Sequence, residues 1–349
     1  MACASITTAP STELATIEQL KEAWLRNECI AFGDPTLARV ELPLEQTYSP
    51  LGFPVLLKTN SEEVLAAAFD SWNAFLTLFE TPVVEVSVMV TDGGSDQRPG
   101  PPVCKIRDHL VTNIADPDNF AVVDLARGTA FVSVTHATVR DREYFRYFFL
   151  ESSAMALIAN KYATGIHAAC VEWNGAALLL CGDSGSGKST LAYACARSGW
   201  TYVTDDGSYL VLGEKSPLVV GNCSQVRFRP DAPRFFAELQ GSRPMSRAGI
   251  GKPTLELPVR GAAAIRTSPI AQARHLVFLK RGYAEPSLNA FPAEVARMYL
   301  AQQVCCMPYA QDKHLRNIDR LLELGVHELR YDRLDWAVER LKTLAGEGR

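Results

Sequence analysis

The spacing of apolar positions changes several times along the chain, and each change marks an element. VVEVSVMV at 83–90 alternates with period two, as a half-buried strand does. AVVDLA and TAFVSVTH alternate on either side of Arg127-Gly128 and predict a hairpin. Helical spacing appears three times in this half. Thr16 and Gln19 form a capping-box pair that opens a helix to about Asn27. Asn60 is placed to cap SEEVLAAAFDSWNAFLTLF, where Val64, Ala67, Phe75 and Leu78 share one face. REYFRYFFLESSAMALIANKY predicts a long, aromatic-rich helix over about 142–162. GGSDQRPGPP (93–102) reads as a flexible loop, and residues 1 to about 14 as a frayed end. Residues 1–150 thus predict a mixed α+β accessory domain without a catalytic constellation, suited to packing or to presenting a substrate.

From residue 151 the pattern becomes α/β. IHAACVEWNGAALLLCG predicts a β-hairpin turning at Asn174-Gly175. STLAYACARSG predicts a helix stopped by Gly199, and TYVTDD a further strand. YLVLG and QVRFRP follow as short strands, then a helix near 232–240 and the linker GSRPMSRAGIGKP. ARHLVFLKR is a strand, and helices are expected near 292–303, 312–324 and 332–345.

The candidate chemistry sits between the first of these strands and its helix. Gly182-Asp183-Ser184-Gly185-Ser186-Gly187-Lys188-Ser189 fits G-x-x-x-x-G-K-[ST] at every fixed position, with Thr190 beginning the helix. Glycines let the backbone curl so that successive N–H groups face phosphate oxygens, and the helix N-terminus adds its positive end. Lys188 suits the β- and γ-phosphates, and the Ser189 hydroxyl suits Mg²⁺. Asp205 and Asp206 follow on a strand expected to run parallel to the one entering the loop. Its C-terminal end then lies at the ligand-binding edge. One carboxylate there suits Mg²⁺ and the other suits proton abstraction from a hydroxyl. In the predicted hairpin, residues facing each other sum to 349, which sets His167 opposite Gly182. Arg227 and Arg229 share a strand face after the aspartates and are candidates for stabilising transferred charge.

Composition narrows the classes. A net charge of -4 gives no electrostatic reason to expect nucleic acid or an anionic membrane as partner. No basic n-region opens the chain and no run of 18 apolar residues occurs, so neither a secretory signal nor a membrane span is expected. Nine cysteines without a CxxC pair read as reduced thiols of a cytoplasmic protein, and the six histidines lack zinc spacing.

The order histidine, strand, Asn-Gly turn, strand, GDSGSGKS, helix, RSGW, strand, Asp-Asp resembles the core of the HPr kinase/phosphorylase family. It also resembles related proteins that phosphorylate peptides or free serine. The family's core is itself similar to the C-terminal part of PEP carboxykinase. The resemblance is specific over about 165–230, weak to about 290, and absent from the N-terminal half. It implies an HPr-kinase-like P-loop core over 151–349, with ATP phosphates on Gly182 to Ser189 and the metal on Ser189. It further implies an active-site histidine at His167 and an acid pair in which Asp205 or Asp206 is the base, Asp205 being preferred, and the other supports the metal or the histidine. Family members assemble as oligomers. Two departures argue against HPr itself as substrate and against reverse phosphorolysis. Thr190 stands where HPr kinases carry Glu, and LELPVRG (255–261) only loosely echoes the family's metal-binding signature, leaving Glu256 off its spacing.

The expected function is an ATP- and Mg²⁺-dependent kinase acting on a serine-type hydroxyl of a peptide, protein or small molecule. The alternative is a nucleotide-binding regulator or peptide-recognition protein without catalysis. The absence of an N-K-x-D element disfavours a GTPase.

Overall fold

Two sheets, each with buried apolar faces, organise the chain. The computed structural model describes residues 16–26, 41–93, 95–244, 253–259, 264–304 and 306–347. Lys252, Cys305 and most of the 241–253 linker lie outside them. The first sheet holds β1 (Leu44–Tyr48), β2 (Val55–Thr59), β3 (Val84–Thr91), β4 (Val103–Arg107), β5 (Leu110–Ile114), β6 (Phe120–Asp124) and β7 (Thr129–Thr135). Its order is β1-β2-β3-β7-β6-β5-β4, with β2, β3 and β7 parallel and the remaining neighbours antiparallel. Helix α1 (Ile17–Leu25) begins at the Thr16–Gln19 pair, which exchanges hydrogen bonds as a capping box does. Helix α2 (Glu62–Trp72) follows β2.

Two expectations for this half are corrected. The second helix ends at Trp72 rather than running to residue 79. Beyond it the chain crosses Gly52, whose carbonyl accepts from the N–H groups of Leu78 and Phe79, and Phe79 stacks on Phe53 at 4.5 Å. A long-range aromatic contact thus outweighs local helix spacing. Asn60 does not cap the helix either. Its side chain donates to Val90 O and accepts from Val90 N, both at 2.8 Å, and so ties β2 to β3. The β4–β5 ribbon was not legible in the sequence, because all five residues of β4 are exposed and show no alternation.

Helices α3 (His136–Arg140), α4 (Arg142–Phe145) and α5 (Ser152–Lys161) cover the first sheet, with Phe145, Phe149, Leu157 and Ile158 in its core. The long helix expected at 142–162 is present but contains a π-helical turn over Arg146–Glu151.

The second sheet has ten strands. They are β8 (Ala163–His167), β9 (Ala169–Trp173), β10 (Ala176–Cys181), β11 (Thr201–Thr204), β12 (Gly207–Val211), β13 (Leu218–Gly221), β16 (Arg266–Thr267), β17 (Ile270–Arg281), β18 (Ser287–Ala290) and β19 (Val326–Tyr331). A separate pair, β14 (Gln225–Phe228) and β15 (Leu255–Pro258), lies apart. The main path runs β16-β11-β9-β10-β17-β13-β12-β8, and β19 pairs with β17. Helices α6 (Lys188–Arg197) and α9 (Leu334–Gly346) share a core with Leu178 and Leu180 of β10. Residues of α7 (Ala293–Ala301) and α8 (Pro308–Leu322) share another with Ala177, Leu179 and Cys181. Covering on both faces is why β10 reads as an unbroken apolar run. Where a helix was expected near 232–240 there are two short 3₁₀ turns. Among the described residues, no helix is long and apolar enough to cross a membrane.

The hairpin register is also corrected. Asn174 and Gly175 take φ of 51° and 83°, and β9 pairs with β10 from Trp173↔Ala176 to Ala169↔Leu180. The ladder stops there. Ala168 N donates to Ile166 O at 3.0 Å, its carbonyl accepts from Ser208 Oγ at 2.9 Å, and β8 leaves to pair with β12. His167 therefore faces Gly207, not Gly182.

A buried polar chain ties α8 to α5, β8 and β12. His314 of α8 places Nε2 3.3 Å from Asn160 O, so this nitrogen carries the proton, and Nδ1 accepts from Thr164 Oγ1 at 2.9 Å. Asn317 Nδ2 donates to Thr164 Oγ1 and Leu210 O. Burial, reinforced by Lys313, pushes the His314 imidazole down to about 4. The unfolded chain then takes up this proton first as the pH falls. The stability held by neutral His314 is full above about pH 6.5 and is lost toward pH 4. In chemical denaturation, His314→Gln is expected to flatten the wild-type loss between these values. Equal pH slopes for both proteins would refute it.

Candidate active site

The end of β10 forces a tight backbone loop. Gly182, Gly185 and Gly187 have φ of 141°, 96° and 97°, where a side chain is strained. A Cβ on Gly182 would also lie 2.8 Å from Ser186 Oγ and 3.0 Å from Leu279 O, and one on Gly187 would strike the Tyr331 hydroxyl. Tyr331 donates to Ser186 O at 3.1 Å, fixing the loop to β19. The Ser186 hydroxyl is buried without a hydrogen-bond partner. Lys188, at the first turn of α6, donates to Gly182 O at 2.6 Å and to Asp183 O at 3.3 Å. Burial lowers its pKa, with Asp206 opposing. Arg229 donates to Ser184 Oγ at 2.7 Å and so stands on the loop's rim. The loop thus offers a lysine, an arginine and a helix N-terminus to one cavity, which suits a polyphosphate.

The acids arrive from β11. This strand runs parallel to β10, but β9 lies between them and is antiparallel to both. Asp205 is buried. Its Oδ2 accepts from Arg227 N at 2.9 Å, and its Oδ1 lies 3.0 Å from the Tyr202 hydroxyl, which is also 2.9 Å from Gln225 O. Burial raises its pKa to about 6, against the lowering effect of Arg227 N–H, Tyr202 and the Ser189 hydroxyl. Asp206 faces the other way. Its Oδ1 is 3.0 Å from His167 Nδ1, and that hydrogen bond holds its carboxyl below the usual range.

Around these groups lies a cavity of about 580 Å³. Gly185, Lys188, Ser189 and Thr190 line one side, and His167, Asp205 and Asp206 another. Arg227, Arg229, Arg281 and Tyr147 complete it. The structure thus brings together the loop, His167, both acids and both arginines. Arg227 is engaged with Glu256 at 2.8 Å, directly opposite it on β15. Among the described residues, no three His, Cys, Asp or Glu side chains form a metal cluster. The hydroxyl and carboxylates of Ser189, Asp205 and Asp206 fit a hard cation that takes its other ligands from water and phosphate.

Sequence reasoning missed Tyr202, Tyr331 and Tyr147. Tyr331 belongs to a strand the sequence did not reveal. Tyr202 was visible only as a strand residue, and its hydroxyl acquires a role from β14. Tyr147 comes from the half read as lacking chemistry, and its aromatic surroundings gave no signal.

No family model matches this chain, and no curated protein does. Among solved structures it is similar to the Hpr(Ser) kinase/phosphatase from Coxiella burnetii, with 12% identity and a TM-score of 0.28 over 53% of this chain and 99% of that one.

Ionised Asp205 costs folding energy. Its folded pKa lies above the unfolded value, so this cost grows as the pH rises from about 4 through about 6 and is full above it. Asp205→Asn, unfolded by urea in magnesium-free buffer, is expected to gain stability relative to wild type at pH 8, by up to about 3 kcal/mol, and less at pH 5. A gain independent of pH would contradict this.

Proposed function

We propose that the protein is a kinase of the HPr-kinase-like type, transferring the γ-phosphoryl group of ATP to a serine-type hydroxyl. The observation that carries this reading is one cavity holding both the Lys188 loop and the Asp206–His167 pair. A phosphate-binding loop alone suits any nucleotide protein. An accessible carboxylate held ionised beside it adds a proton acceptor, which hydroxyl transfer requires.

The roles follow from access. Lys188, Arg229 and the loop N–H groups bind and orient the triphosphate. Ser189 would hold Mg²⁺, with Asp205 supporting it through the hydrogen bond it shares with the Ser189 hydroxyl. When bound, this ion neutralises charge on the phosphates. Asp206 accepts the proton as the acceptor O–H bond breaks. The oxygen forms its bond to the γ-phosphorus, and the bond to the β-phosphate oxygen breaks to release ADP. His167 positions Asp206 through the 3.0 Å contact. This exchanges the two acids relative to the sequence reading, which preferred Asp205 of the two as the base. The higher pKa of Asp205 favours that earlier assignment, but both its oxygens are engaged and it is buried, so a substrate hydroxyl reaches Asp206 first.

Lys188→Ala is expected to abolish transfer from radiolabelled ATP to a pool of serine peptides and hydroxyl metabolites; normal turnover would sink the assignment of the loop. Asp206→Asn should keep nucleotide affinity within a few-fold in calorimetry while transfer falls about 10³-fold. If Asp205→Asn alone shows that pattern, Asp205 is the base after all.

A further inference from the structure

Three cavities meet at Asp206, and two of them lie on the side away from the loop. The larger, about 700 Å³, shares Tyr147, His167 and Asp206 with the phosphate cavity. A molecule in it therefore touches the proposed base. Its floor is Phe148, Met155, Ala156 and Ala159. Several of its polar groups are already used within the protein. Asn113 Nδ2 donates to Phe148 O and lies 3.2 Å from Ser152 Oγ, and Ser152 Oγ donates to Phe148 O. Gln303 Oε1 accepts from His167 N. Such a cavity selects by apolar fit rather than by an anchoring charge.

One wall is the β4–β5 ribbon. Cys104 and Ile106 of β4 line the cavity together with Asn113 and Val111, their direct partners on β5. β4 ends the sheet, and among the described residues no strand pairs with its outer edge. Val103 and Ile106 are exposed on it. Lys105 and Arg107 alternate with Cys104 and Ile106, so the open edge is charged on one face and apolar on the face that lines the cavity, and its unpaired backbone groups are a template for another strand. A strand added there continues the sheet, so every second side chain falls on the face that lines the cavity. Opposite stands the π-helical turn Arg146–Glu151, a geometry found often at functional sites, which carries Tyr147 into both cavities.

Resting on the kinase reading above, we propose that the acceptor is an extended polypeptide segment. It pairs with the edge of β4 and lays alternate apolar side chains into this cavity, bringing its serine hydroxyl to Asp206. The smaller cavity, about 340 Å³ and lined by Asp70, Arg146, Glu151 and Arg227, is the place a small polar alcohol would occupy instead.

The test offers wild type a degenerate peptide library with a central serine and, separately, free serine, threonine and homoserine. Transfer to the library with apolar selection at alternate positions from the serine is expected. Ile106→Lys, at a residue 55% exposed and so tolerant of the change, should raise KM for the selected peptide about tenfold and leave kcat unchanged. N-methylation of alternate backbone amides in that peptide should abolish transfer, and methylation of the intervening ones should not. Transfer to the free amino acids alone, or library transfer indifferent to Ile106→Lys and to N-methylation, overturns the proposal and leaves the kinase reading standing. Absence of Lys188-dependent transfer to every probe overturns both.

Discussion

A buried carboxylate holds the site together. Asp205 ends β11, accepts from the backbone of β14, takes the Tyr202 hydroxyl and lies beside Ser189 of α6. Residues of three elements, α6, β11 and β14, converge on one group. Its burial also orients the next residue. Consecutive side chains at a strand end point to opposite sides, so sending Asp205 inward sends Asp206 outward, where His167 meets it. The adjacent acids thereby acquire opposite electrostatics, one pushed up by burial and one held down by a hydrogen bond. The same arrangement carries a folding cost that a purely structural turn would not accept.

The two sheets are not independent in the site they build. The second sheet and its flanking segments supply the loop, the acids and His167. The α4–π–α5 segment packs into the first sheet's core, yet its π turn reaches the cavities around Asp206 through Arg146, Tyr147 and Glu151. The buried His314–Thr164–Asn317 chain and the contact of His314 with Asn160 of α5 fix the helices on both sides of this junction. Residues of both halves thus line the cavities around Asp206.

Much of this was legible in the sequence where one local rule decides the outcome. The capping box at Thr16, the Asn174-Gly175 turn, the apolar strand β10 and the backbone curl of the glycine loop all depend on residues a few positions apart, and all formed as read. The failures share a different cause. The helix expected to reach residue 79 stopped at Trp72 because Gly52 and Phe53 captured the segment beyond. Asn60 left the helix for Val90, thirty residues away. The hairpin register held for five pairs and then broke, because β12 offered β8 a competing partner that no local count includes.

By itself the sequence determined the glycine-rich loop, the helix behind it and the presence of two acids at a strand end. Glycine conformation, helix polarity and strand periodicity act over a few residues and tolerate few alternatives. Only the tertiary structure decided which acid is buried, how His167 reaches Asp206, and that a half without catalytic motifs walls the cavity beside them. Those outcomes depend on which distant strands pair and which side chains they bury, and burial and long-range pairing are properties of the assembled sheets.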